Sequence, residues 1–127
     1  MRRELKAIFL LFFTVQFGFA QVTFKAAVSK TALGMNERLR VDFTIDKQGA
    51  DDFTPPRFEN FTVLAGPSQA TSFSSINGKT SFKQTYTYII QPLSKGSFLI
   101  GSAGITYDGE IIKSNAVRVQ VTDAVNI

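Results

Sequence analysis

The side chains of this sequence that could carry chemistry are carboxylates. The chain of 127 residues contains no histidine and no cysteine, which excludes Ser-His-Asp and Cys-His nucleophiles and zinc held by either residue type. A pair of acids arranged as in glycoside hydrolases is the remaining way to catalyse a reaction. Beyond residue 20 the acids are Glu37, Asp42, Asp46, Asp51, Asp52, Glu59, Asp108, Glu110 and Asp123. Nearly all of them fall in predicted turns or on outward strand positions, so we expect neither an enzyme nor a bound cofactor.

Three of these acids lie close together and raise the question of a metal site. Asp46, Asp51 and Asp52 fall within residues 46–56, and hard cations such as Ca²⁺ take several oxygen ligands. The spacing matches no EF-hand loop, and no bidentate glutamate follows. A solvated loop between two strands is the favoured interpretation and a calcium site is the alternative, so the sequence predicts no metal centre.

The first 20 residues have the pattern of a secretory signal peptide. Basic residues within positions 2–6 overlap the start of a largely apolar run at 5–19, and the small residues Gly18 and Ala20 precede a cleavage site before Gln21. A retained membrane anchor is the alternative, but the run is short of the roughly 20 apolar residues that a spanning helix needs. We therefore predict export to the periplasm and a mature chain that begins at Gln21.

The charge of the chain gives no support for nucleic-acid binding. The whole sequence carries 14 basic and 10 acidic residues, and removing the three bases and one acid of the predicted signal leaves 11 against 9. No basic stripe and no zinc-finger spacing is present. Without cysteine the exported domain has no disulfide, so its stability must come from a hydrophobic core, which a domain of about 100 residues can supply.

Alternating apolar and polar residues, the period of a half-buried strand, dominate the mature chain. The clearest alternation is at residues 38–45, where Leu39, Val41, Phe43 and Ile45 are predicted to face inward. Other strands are predicted at residues 22–29, 58–65, 80–91, 98–100, 105–107, 110–112 and 116–122. Residues 30–37 and 46–56 are predicted connections. Seven or eight short antiparallel strands with regular turn signals favour an immunoglobulin-like β-sandwich.

Two dipeptides in the middle of the chain organise this pattern. Asn77-Gly78 predicts a tight type I′ hairpin turn, because both central residues of that turn need positive φ. Gly66-Pro67 is predicted to end the strand 58–65, since proline cannot continue a central ladder. The serine- and threonine-rich residues 68–76 that follow suit an exposed edge strand.

The stretch P-P-R-F-E-N-F-T-V-L-A-G-P-S at residues 55–68, together with shorter matches on both sides of it, resembles the N-terminal domain of the BatD proteins of the Bacteroidetes aerotolerance operon, also called oxygen-tolerance proteins. The resemblance rests on an ordered set across about 100 residues, whose centre is the stretch from Pro55 to Ser68. The signature positions, which we interpret as structural, are Pro55, Pro56, Phe58, Phe61, Gly66, Pro67, Asn77, Gly78 and Gly96. Smaller matches flank that stretch, for example Gly34-Met35-Asn36-Glu37 and Lys113-Ser114-Asn115.

The resemblance implies a longer parent protein with repeated sandwich domains and a membrane helix near its C-terminus. It implies partners of the Bat type: membrane proteins with von Willebrand A domains, a tetratricopeptide protein and a MoxR-type ATPase. On this basis we expect residues 21–122 to form one domain and residues 123–127 to be a short tail, frayed, at a truncation point. Membrane anchoring is expected only in the parent chain.

The resulting hypothesis is a non-catalytic periplasmic interaction or scaffold module in a cell-envelope complex linked to oxygen or stress tolerance. The polar edge at residues 68–75 could accept a strand of a partner. The alternative is a carbohydrate-binding or adhesin-type sandwich module. Such modules present exposed aromatic platforms, and this chain has no tryptophan. Tyr107 is the best exposed candidate, whereas Tyr86 and Tyr88 are predicted to lie in the core.

Overall fold

The computed structural model describes residues 21–126, so the predicted signal peptide and the cleavage position at Ala20 lie outside the described residues. Within that range the chain forms ten strands and no helix, which confirms the all-β prediction. The strands are β1 (Phe24–Val28), β2 (Ala32–Gly34), β3 (Leu39–Ile45), β4 (Asp51–Thr54), β5 (Phe61–Ile76), β6 (Lys79–Pro92), β7 (Gly96–Ile100), β8 (Gly104–Tyr107), β9 (Glu110–Lys113) and β10 (Val117–Thr122). No helix of the described residues is long and apolar enough to cross a bilayer.

The strands form two layers with the order of an immunoglobulin sandwich. One layer is a four-stranded antiparallel sheet in the order β1-β3-β6-β5, which corresponds to the A-B-E-D order of constant-type domains. The other layer consists of two three-stranded sheets, β2-β10-β7 and β4-β8-β9. Apolar side chains from both layers pack into a single hydrophobic core.

The predicted count of seven or eight strands is wrong, because three strands of the immunoglobulin pattern are each broken in two. The ladder in which Ile100 pairs with Val117 continues in the same register to Gly104 and Lys113. Strands β7 and β8 are therefore the two halves of one long strand, and β9 and β10 are the halves of its hairpin partner. Strands β1 and β2 are likewise two parts of the first strand, but each of them lies in a different layer.

A purely antiparallel arrangement is also wrong. After β1 the chain crosses to the second layer, where β2 pairs in parallel with β10 and Leu33 lies opposite Val121. Residues 30–37, predicted as a connection, thus contain a strand. Residues 46–56, also predicted as a connection, contain β4, which pairs with β8 through Asp51 and Thr54.

The core lies where the sequence alternation is strongest. Leu39, Val41, Phe43 and Ile45 on β3 are at most 1% exposed, so the predicted inward face of this strand is confirmed. Tyr86, Tyr88 and Ile90 on β6 are buried beside them, and the second layer contributes Ile100, Ile105, Val119 and Val121. Phe53 joins this core through ring stacking on Tyr86, with the two centroids 4.1 Å apart.

Strand β5 differs most from the prediction. It begins at Phe61, and it continues through Gly66-Pro67 to Ile76 instead of ending there. The ladder with β6 shifts register twice between Val63 and Ser68, which accommodates the glycine and proline without ending the pairing. The expected inward alternation is lost after Phe61, and Val63 is 44% exposed although it pairs with the buried Ile90 before the first shift.

The segment after β10 is held to the domain up to Val125, contrary to the expectation of a frayed tail. The side-chain amide of Asn36 donates to the carbonyl oxygen of Val125 at 2.9 Å, and the backbone N–H of Val125 donates back to the Asn36 side chain at 2.9 Å. The ammonium group of Lys95 contacts the Asp123 carboxylate at 2.8 Å. Asn36 and Lys95 thus hold the segment against the loops after β2 and β6.

Candidate interaction surface

Several of the carboxylates considered for a catalytic or metal site make local structural contacts. The backbone N–H of Thr23 donates to Asp46 at 2.8 Å, and the Thr87 hydroxyl donates to Asp42 at 2.6 Å. Asp51 and Asp52, the other acids of the possible calcium loop, are exposed at the start of β4. Within residues 21–126 no group of three or more potential metal ligands comes together.

Glu37 shows how such a carboxylate stabilises a turn. Its side chain accepts a hydrogen bond from the backbone N–H of Gly34 at 2.8 Å and contacts the Lys30 ammonium at 3.0 Å. The bond from Gly34 and, after it, the bond from Lys30 hold the pKa of Glu37 below its ordinary value. Both contacts favour the ionised form, so Glu37 acts as a fixed anion in the turn between β2 and β3.

The proline and phenylalanine positions of the resemblance surround the entry to β5. Pro55 is exposed, Pro56 is half-buried, and Phe58 and Phe61 are buried core residues. Phe58 has a φ of 54°, and its carbonyl oxygen accepts a hydrogen bond from the N–H of Phe61 at 3.1 Å. These positions form a turn whose two phenylalanines are buried in the core.

The remaining signature positions have unusual backbone conformations or form a turn. The Gly66–Pro67 bond is cis, and Gly66 has a φ of 121°. Gly96, at the first residue of β7, also has a positive φ, 143°. Asn77 and Gly78 have φ values of 52° and 77°, which confirms the predicted type I′ turn.

Tyr107, the candidate aromatic platform for a carbohydrate, is half-buried at the end of β8. Tyr86 and Tyr88 are buried, as predicted from their strand face, and burial raises the pKa of both phenols. Tyr86 stacks on Phe53 and Tyr88 packs against Phe58 with ring centroids 5.1 Å apart. The tyrosines of β6 therefore belong to the core.

The most conspicuous surface feature is a hairpin that extends beyond the sandwich. Strand β3 pairs with β6 only as far as Ile45 opposite Gln84, whereas β5 and β6 continue to pair from Ser72 opposite Lys83 to Ile76 opposite Lys79. We call residues 72–83 the arm. Its five residue pairs reach about 17 Å past the end of β3 at the usual rise of an antiparallel strand.

The arm carries apolar side chains that the sandwich does not cover. Phe73 is 60% exposed and Ile76 is 67% exposed. Phe73 meets Phe82 across the ladder in an edge-to-face contact, with centroids 5.8 Å apart. Beside this pair a groove of about 470 Å³ separates the arm from the loop after β3, whose residues 46–48 line its far side.

The charge of the arm is exclusively positive. Lys79 and Lys83 are exposed, and the whole hairpin from Phe61 to Pro92 contains no acidic residue. Among residues 21–126 the salt bridges are Lys30–Glu37, Arg40–Asp42 and Lys95–Asp123, so neither arm lysine is neutralised by a described carboxylate. The arm is therefore a basic surface with an aromatic pair.

The two edges of the four-stranded sheet differ in whether a group of the domain bonds to their outer side. At β1 the side chain of Asn115 closes the edge, since its oxygen accepts from the N–H of Ala26 at 2.9 Å and its amide donates to the Ala26 carbonyl at 3.1 Å. At the other edge β5 has β6 as its neighbour on one side and no described strand on the other. Of its 16 residues Phe61 alone is buried and Ser74 alone is half-buried.

The sequence indicated an edge at residues 68–76 but not the arm. Phe73 lies within that predicted polar edge, and neither its exposure nor a role for the two lysines was predicted. Comparing strand lengths would have found the arm, because the predicted strand 80–91 is longer than its neighbour 38–45. The excess length must project beyond the sheet when the shorter strand ends.

A comparison with protein-family models gives the identity of the domain. The model described as the BatD DUF11-like domain matches residues 26–121. That range begins within β1 and ends one residue before the end of β10, and thus covers nearly the whole sandwich and all of the arm. Among curated proteins no relative matches. The chain therefore belongs to the BatD family.

Proposed function

We propose that this chain is a non-catalytic interaction module of a BatD-family protein, exported to the periplasm. The parent protein acts in a cell-envelope complex linked to oxygen or stress tolerance. Its partners are of the Bat type, with von Willebrand A or tetratricopeptide domains, and the arm is the surface that contacts them. Membership of the family supports the setting, and the arm supports a binding role.

The observation that carries the proposal is the exposure of Phe73 and Ile76 on a projecting two-stranded ribbon. A hairpin of two strands is marginally stable in water and gains little from its own packing. Exposed large apolar side chains within a polar rim are typical of binding surfaces. The arm therefore gains stability from a partner that covers its aromatic pair, which explains why such a ribbon extends from an otherwise compact sandwich.

A pull-down from envelope extracts tests the proposal. The mature domain, residues 21–127, serves as bait, and captured proteins are identified by mass spectrometry. We expect recovery of a protein with a von Willebrand A or tetratricopeptide domain. The double variant Phe73→Ser/Ile76→Ser is expected to lose that partner, because it removes both exposed apolar side chains of the arm.

The matched control removes equally exposed apolar residues elsewhere. Leu93 is 61% exposed and Ile111 is 73% exposed, and both lie outside the arm. Leu93→Ser/Ile111→Ser should capture the partner as well as the unaltered domain does. Failure to recover any Bat-type protein, or equal loss in both double variants with unchanged melting temperatures, would refute the arm as the binding surface.

A further inference from the structure

We infer that the free edge of β5, from Gln69 to Ser75, binds an extended acidic segment of a partner as an additional strand of the four-stranded sheet. This inference rests on the proposed function and specifies its chemistry. The partner contributes backbone hydrogen bonds to β5, carboxylates to Lys79 and Lys83, and apolar side chains to the Phe73–Phe82 pair. Each contact follows from the geometry of the arm.

The geometry of the turn determines which residues of β5 direct their backbone hydrogen-bonding groups to the free edge. In a two-residue hairpin the residues that flank the turn form a hydrogen-bonded pair, and pairs alternate from there along the ladder. Ile76 and Lys79 flank the turn, so Ser74, Ser72 and Ala70 also bond to β6. The alternate residues direct their N–H and C=O groups to the free edge, and these are Gln69, Thr71, Phe73 and Ser75.

The edge lacks the features that usually prevent strand addition. Natural sheets protect their edges with charged residues, prolines or bulges. The segment from Gln69 to Ile76 contains no charged residue and no proline, and the register shifts of β5 end at Ser68. The β1 edge of the same sheet is closed by Asn115. One edge is thus covered within the domain, and the other presents about eight residues of regular strand.

The charge on the arm selects an acidic occupant. Lys83 pairs with Ser72, and Lys79 pairs with Ile76, so both lysines lie on the face that also bears Ser74. An added strand lies two strand spacings from β6, about 10 Å away, and only short serines stand between it and Lys83. The long lysine side chain can reach over a serine toward a carboxylate of the added strand.

The same charge disfavours a second copy of this chain as the occupant. Pairing of two β5 edges in register would place Lys79 and Lys83 of both copies on one continuous face with no acid in either hairpin. Like charges on a shared face repel. An acidic strand neutralises them instead, and its alternate apolar residues face Phe73 and Thr71.

The experiment uses the mature domain and a synthetic probe, a capped ten-residue peptide of alternating valine and glutamate. The matched peptide has lysine in place of glutamate. Amide hydrogen exchange by NMR is expected to show new protection at Gln69, Thr71, Phe73 and Ser75 when the acidic peptide binds. The amides between them already bond to β6 and should change little. Such alternation is the signature of an added strand, whereas docking on a face protects no alternate set.

Two pairs of variants separate the backbone and charge contributions. Thr71→Pro removes one outward N–H at an edge position, where proline is tolerated, and should weaken binding about tenfold, the weight of one hydrogen bond. Thr71→Ala keeps that N–H and should bind as before. Lys79→Glu/Lys83→Glu should weaken the acidic peptide about tenfold through the sum of two surface charge reversals. Lys25→Glu/Lys113→Glu reverses two exposed lysines away from the arm and should have little effect.

The outcomes are distinct. Equal binding of the glutamate and lysine peptides, unaltered binding by Thr71→Pro, or protection that does not alternate would each overturn the inference. So would a dimer of the domain that Thr71→Pro abolishes, since a second copy would then be the occupant. If Thr71→Pro still captures the Bat-type partner and Phe73→Ser/Ile76→Ser does not, strand addition fails and the proposed function stands. If both variants capture it, the arm is not the binding surface, and both the inference and that part of the proposed function fail.

Discussion

Replacing Ser114 by alanine tests the interpretation of β7–β10 as one interrupted hairpin. Ser114 is 4% exposed and lies at the break between β9 and β10. Its hydroxyl accepts a hydrogen bond from the N–H of Ala103 at 2.9 Å and donates to the carbonyl of Asn115 at 3.1 Å. Its own N–H donates to the Ala103 carbonyl at 2.9 Å. The serine side chain thus replaces a missing rung of the ladder.

The loss of folding stability in Ser114→Ala comes from the backbone N–H that the variant leaves without a partner. Ala103 is 1% exposed, so its N–H would lose its partner in a place that water does not reach. An unsatisfied buried donor costs about 1–3 kcal/mol. Each kcal/mol lowers the melting temperature of a domain of this size by roughly 4–8 °C. Alanine fills nearly the same space, so little of the loss comes from packing.

Urea unfolding of the mature domain measures this cost, and hydrogen exchange locates it. The free energy of unfolding should fall by about 1–3 kcal/mol, with the slope against urea unchanged, and the Ala103 amide should exchange faster than in the unaltered domain. Ser102→Ala is the control, because Ser102 is the exposed neighbour of Ala103 and surface changes usually stay within about 0.5 kcal/mol. A loss for Ser114→Ala no larger than that of the control would refute the bridging role.

Three further predictions concern the turns and the closed edge. Gly78→Ala should destabilise the arm by about 1–2 kcal/mol, because alanine is strained at a positive φ. Gly66→Ala should cost more, because its new Cβ would also lie 2.7 Å from a carbonyl oxygen of β6. Urea unfolding of both variants measures which loss of stability is larger. Glu37→Gln should lower stability at neutral pH. Because its pKa is lowered from 4.5 in the folded state, the carboxylate contributes stability above that pH, and the difference should vanish as pH falls through the lowered value. Asn115→Ala should speed exchange of the Ala26 amide about tenfold, for loss of one hydrogen bond; an unchanged rate would show that β1 is protected by something else.

The sequence predicted the features that depend on local backbone geometry. Period-2 alternation identified the inward face of β3, and Asn77-Gly78 identified the hairpin turn, because side-chain direction along a strand and positive φ are properties of a few consecutive residues. The resemblance across about 100 residues pointed to the family that the family model shows. The all-β class also followed from the sequence, because period-2 alternation and turn residues are likewise local properties.

Pairing between distant segments could be decided only by the tertiary structure. The break at residues 29–31 divides the first strand because the chain changes layer there, whereas the break at Ser114 interrupts a strand within one layer. No local pattern marks either break. Val63 lies on the edge strand of its sheet and is 44% exposed although its partner Ile90 is fully buried, a difference that its own alternation does not show. The arm exists because β3 ends at Ile45 while its neighbour continues. Whether a residue is core, edge or projection therefore depended on the length and register of the strand beside it.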